Sequence, residues 1–132
     1  MPALNLTKKT WLATTVRKAD NFFTRLVGLL RRQSLGPEEA LWLIPSKGVH
    51  TIGMKFPIDV IFLDRTNKVI ATVCDLPPLR ISRLHFSAHS VLELPHGVIN
   101  KSSTTVGDQI EILLAESSAM DDLKDTLLNK VS

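Results

Sequence analysis

Asp59 and Glu93 stand out chemically, because each is a carboxylate set inside an apolar run, Ile58-Asp59-Val60-Ile61 and Val91-Leu92-Glu93-Leu94. Burying a charge is costly unless it is paired or hydrogen-bonded, so each acid needs a specific partner. Two such acids could share acid–base work or hold a cation. The plainer alternative is that each lies at a strand end and accepts hydrogen bonds from backbone N–H groups or an arginine. For Asp59 the expectation is at least two accepted bonds.

The histidines are His50, His85, His89 and His96. His85 and His89 have the i, i+4 spacing that places two imidazoles on one helix face for a metal. The segment follows Pro77-Pro78, however, and no carboxylate or cysteine lies near it in sequence. No metal and no cofactor is therefore expected. His50, beside Thr51 and Met54, is better placed for a ligand pocket, with a hydrogen-bonded structural histidine as the alternative. Arg31 and Arg32, with Arg25 before them, could meet an anion or simply end a helix in water. Cys74 has no neighbouring histidine or second cysteine, so a small core residue is its default reading. A phosphate-binding glycine loop, a nucleophile elbow and a CxxC pair are all absent, which argues against several common enzyme classes.

The elements that must position these groups centre on Gly48–Asp64, which reads GVHTIGMKFPIDVIFLD. Val60-Ile61-Phe62-Leu63 has the run of β-branched and aromatic residues expected of a strand buried on both faces. His50, Thr51, Gly53, Met54 and Lys55 bring polar, small and flexible groups to its mouth, and Pro57 marks a kink or a strand start. A pocket at this mouth would draw on His50, Thr51, Met54, Lys55 and Asp59, with Arg31 nearby if the preceding helix packs across that end. In a catalytic version Asp59 and His50 would be acid and base.

The remaining chain supplies a frame. Trp11–Val16 reads as a first strand. Phe22, Phe23, Leu26, Leu29 and Leu30 recur at helical spacing, predicting an amphipathic helix over about 21–32 with Gly28 at a close backbone approach. Leu41–Ile44 is a strand stopped by Pro45. Strands at about 59–63 and 69–73 around the polar connector Asp64–Lys68 make a hairpin. Ser90–Leu94 and Gln109–Leu114 are further strands, and Asn100–Val106 has room for a helical turn. The expected fold is α+β: a mainly antiparallel, partly closed barrel-like sheet with no parallel βαβ pair. One main helix lies between the first strands and a second at the C-terminus.

At 132 residues the chain can bury a core without metal or disulfide staples. One cysteine excludes an intrachain disulfide and suits a reducing compartment. No apolar segment follows the N-terminal charges, so no leader is expected, and no apolar run is long enough to span a bilayer. A soluble, cytoplasmic protein is the expectation. Its net charge of +3 divides into −2 over 115–132 and +5 over 1–114. That is mildly basic, short of a nucleic-acid footprint. The expected partner is a small ligand or a protein, with no membrane and no nucleic acid, and the chain would be a monomer or a weak homodimer. The division also separates a β-rich domain, 1–114, from a tail, 115–132. In the tail Met120, Leu123, Leu127 and Val131 make one apolar stripe at helical spacing, predicting a helix over about 118–130 that docks on its own domain or on a second chain.

Four segments, taken in order, resemble the domain of unknown function 192 family: Leu26–Arg32 (LVGLLRR), Met54–Asp64 (MKFPIDVIFLD), Val91–Gly97 (VLELPHG) and Val106-Gly107-Asp108. The resemblance covers roughly 11–114. It implies a small β-rich bacterial and archaeal domain, found alone and often in exported proteins, with no established activity. The chain departs from the commoner pattern in the expected lack of a leader, and in carrying Val49-His50 and Phe56-Pro57 where an aromatic and an Asn-Thr-type pair are frequent.

Overall fold

The computed structural model describes residues 2–19, 35–48, 56–78 and 82–113. The expected helices over 21–32 and 118–130 lie outside these residues, as does the segment 49–55. Along the described chain run β1 (Ala3–Asn5), β2 (Thr10–Ala13), β3 (Thr15–Ala19), β4 (Glu39–Leu43), β5 (Ile58–Leu63), β6 (Val69–Leu76), β7 (Ser90–Pro95), the short helix α1 (Val98–Ser102) and β8 (Ile110–Ile112). Strands dominate and pair mostly antiparallel.

They form two sheets, ordered β2-β1-β8 and β3-β4-β7-β5-β6, where a single partly closed sheet was expected. The difference originates at Thr14. Trp11–Val16 reads as one strand, yet the amides of Thr14 and Thr15 both donate to the Glu38 carbonyl, at 2.9 and 3.1 Å. Before this point the chain pairs with β1, and after it with β4. A second link joins the sheets at the start of β8, where Lys68 bridges Gln109 and the Val69 amide donates to the Asp108 carbonyl.

The β3–β4 pair is parallel, with Thr15 opposite Glu39 and Ala19 opposite Leu43. This parallel pairing goes against the expectation of no parallel βαβ pair, while most of the connection between the two strands lies outside the described residues. Parallel neighbours need a crossover of about a dozen residues or more, and the connection over 20–38 supplies that length.

The expected hairpin is present as β5 and β6, joined by an Asp64 turn. Asp64 Oδ1 accepts from the amides of Thr66 and Lys68 at 2.9 and 3.0 Å, which fixes the polar connector. All six residues of β5 are buried, in agreement with a strand covered on both faces. Ile61 and Leu63 join Leu92, Leu94, Leu12 and Ile110 in the core between the sheets. Val60 and Phe62 join Leu41, Leu43 and Val91 in a second cluster on the other face. Full burial of each such side chain stabilises the fold by about 1.5–3 kcal/mol, so β5 and β7 form the rigid centre from which polar side chains are aimed.

Candidate functional site

Asp59 is 1% exposed and its two oxygens hold two separate elements. The β5–β6 register slips beside it: Ile58 is opposite Leu76 and Val60 opposite Val73. Asp59 thus faces both Cys74 and Asp75, a β-bulge, and Asp75 takes a left-handed φ of 53°. The Asp75 amide donates to Asp59 Oδ1 at 2.9 Å. The Ile99 amide, in the first turn of α1, donates to Asp59 Oδ2 at 2.9 Å. The residue preceding α1, Gly97, sits at φ 92° and offers no side-chain cap. Asp59 is therefore the N-terminal cap of this helix, supplied from a strand forty positions earlier, with a carboxylate where the helix dipole favours one. The expectation of at least two accepted hydrogen bonds is met by backbone donors.

Glu93 does not join it. It is 2% exposed and lies opposite Val60, whereas Asp59 lies opposite Leu94. Opposed residues share a face and successive residues alternate, so the two carboxylates project from opposite faces of the sheet. They cannot work as one acid–base pair or grip one cation.

The segment carrying His85 and His89 is irregular, which removes the helix face their spacing implied. The His85 ring packs on Phe62 with centroids 4.3 Å apart. Among the described residues no three of His, Cys, Asp and Glu converge as metal ligands. His96 Nδ1 lies 3.4 Å from Asp75 Oδ1, both side chains being more than half exposed, which is a weak surface pairing. Cys74 is exposed, so its reading as a core residue is corrected. Partial burial and the negative charges of Asp59 and Asp75 push its thiol pKa up, the reverse of what a nucleophile requires. His50, Thr51, Met54, Lys55 and Arg31 lie outside the described residues, so of the expected pocket only Asp59 is placed.

Sequence reasoning passed over a second polar cluster. Asn5 is fully buried and donates to Thr104 Oγ1 at 3.0 Å and to Asp108 Oδ2 at 2.9 Å. Lys8 Nζ reaches the same carboxylate at 2.9 Å, and the Thr105 amide donates to it at 3.0 Å. Burial opposes the Asp108 charge, but the Asn5 amide, Lys8 and the Thr105 N–H together hold its pKa below the ordinary value. Ser102 and Thr104 hydroxyls share a 2.7 Å bond, and Thr10 Oγ1 donates to the Ser102 carbonyl at 2.8 Å. The cluster ties β1 and β2 to α1 and to the turn before β8. Its only sequence signal is the polar run Ser102–Thr105 followed by Gly107-Asp108.

Between β2 and α1 lies a groove of about 640 Å³, walled by Trp11, Ala13, Pro37 and Glu38 on one side and Val98 and Lys101 on the other. Asp59 and the Asn5 cluster hold α1 from its two ends. What the described residues build is a braced concavity lined by apolar, hydroxyl and charged side chains.

The family model for DUF192 (Uncharacterized ACR, COG1430) matches residues 4–112. A UPF0127 protein of Pyrococcus furiosus is 36% identical over 114 residues, covering 82% of this chain and 95% of that protein. Another UPF0127 protein, from Thermococcus sibiricus, is 31% identical and covers 97% of this chain and 85% of its own length. A crystal structure of a protein of unknown function from Novosphingobium aromaticivorans superposes with a TM-score of 0.74 at 19% identity, covering 85% of this chain and 84% of that one, a likeness of fold alone. By sequence, the chain belongs to the DUF192 family.

Proposed function

We propose that this chain is a small cytoplasmic binding domain, acting without chemistry of its own on a small ligand or protein partner. The observation supporting this reading is the engagement of Asp59: both of its oxygens accept from backbone amides, so the carboxylate holds a bulge and a helix in place. Such a group serves as scaffold more readily than as a proton carrier. The ligand surface lies at the mouth of β5, where His50, Thr51, Met54 and Lys55 precede the strand, with Arg31 contributing from the helix expected over 21–32. Asp59 lies at the second position of β5, next to that segment in sequence. A single cysteine suits a reducing compartment such as the cytoplasm.

The competing reading is a small hydrolase in which His50 and Asp59 are base and acid. An amide-resolved titration of the labelled protein with a fragment library separates the two. Shifts clustering on residues 50–59 that survive His50→Ala with weakened affinity support binding. Product formation from any fragment, abolished by His50→Ala in a folded protein, supports the enzyme. Shifts scattered over the surface contradict both.

A further inference from the structure

We propose that the groove between β2 and α1 is the seat of this chain's own C-terminal segment, with the helix expected over 118–130 lying in it and turning its apolar stripe inward. The position where the described chain ends points there. Ala3 pairs with Ala13 on one side and with Ile112 on the other, so the end of β8 lies two strand spacings, roughly 10 Å, from the groove wall at Ala13. Leu113 is held at this end by its amide, which donates to the Pro2 carbonyl at 2.9 Å.

Length and composition fit the space. Four residues, 114–117, span up to about 13 Å, enough to pass the edge of the three-stranded sheet. A helix of about thirteen residues is roughly 20 Å long, the scale of β2 with its flanking turn. A lone helix of this size is marginal in water, so its stripe of Met120, Leu123, Leu127 and Val131 needs an apolar surface. The half-buried side chains of Trp11 and Val98 provide one. Glu38 is exposed on one wall; at helical spacing Lys124 and Lys130 flank the apolar stripe on either side, so one of them would meet it, while Asp121, Asp122 and Asp125 turn towards water. The inference is independent of any ligand at the mouth of β5.

Three proteins test it: the full chain, a chain ending at Leu114, and full-length Leu123→Asp/Leu127→Asp, which leaves every described residue intact. Because β2 is an edge strand among the described residues, some of its amides have no sheet partner there and exchange according to what covers them. The expected result is exchange about tenfold faster over 10–14 and 98–102 in both altered proteins, with red-shifted emission from Trp11 and no dependence on protein concentration. Equal exchange in all three proteins overturns the proposal. So does protection that rises with concentration, since the tail would then sit on a second copy. Loss of folding in both altered proteins would place the tail in the core instead of a groove and would equally overturn it.

Discussion

The Asp59 carboxylate and the Ile99 amide are joined at 2.9 Å, linking the central strand to the start of α1. Together with the Asp75 bond, this makes Asp59 the common anchor of a bulge and a helix. Asp59→Ala should lower the unfolding free energy by roughly 1–3 kcal/mol, because two N–H groups lose their acceptor. Asp59→Asn keeps one acceptor oxygen and should cost less. Denaturant midpoints for the two variants check both the size and the order.

Asn5 and Lys8 bind the same carboxylate but should matter unequally. Asn5→Ala removes the buried donor to Thr104 and Asp108, at a cost of about 1–3 kcal/mol. Lys8 is one-third exposed, so its ion pair with Asp108 is weakened by solvent. Lys8→Ala should cost about 1 kcal/mol or less, and less still at high salt. Melting curves at two ionic strengths distinguish them.

Asp108 gives stability a pH dependence of known sign. Its folded pKa is held below the ordinary 3.8, so as pH falls the unfolded chain takes up the proton first. The contribution of Asp108 is present in full above the unfolded pKa and is lost as pH falls through the folded one. Asp108→Asn should be less stable at neutral pH and show a shallower loss of stability below about pH 4. Parallel acid titrations of the two proteins measure the difference.

Much of the five-stranded sheet is legible in residue types. Val60–Leu63, Val69–Val73 and Ser90–Leu94 form apolar runs bounded by turn residues, and they become β5, β6 and β7. The break at Thr14 is not legible, because no glycine or proline marks it and the switch of sheet is made by the distant Glu38 carbonyl. The demand of Asp59 for partners is legible, but their identity is not. Its donors are backbone N–H groups 16 and 40 positions away, and a backbone amide carries no residue signature. The spacing of His85 and His89 implied a helix that the chain does not form there, since His85 is held against Phe62 and its amide donates to the Lys47 carbonyl. Asn5 and Asp108 stand 103 positions apart, beyond the reach of any local pattern.

Cys74 is exposed yet should react slowly. Partial burial and the charges of Asp59 and Asp75 disfavour its thiolate, the attacking species. Alkylation at pH 8 should run more slowly than for an unhindered thiol. Asp75→Asn removes one negative charge and should speed it, by a factor that shrinks as salt is added.

The central claim is that Asp59 holds the bulge and α1 in place as a scaffold. Amide exchange at Ile99 and Asp75, compared between the native chain and Asp59→Ala, tests this most directly. The account predicts lost protection at those two amides and through Val98–Ser102, while the β5 and β7 amides stay protected. Unchanged protection at Ile99 and Asp75 in the variant would contradict it.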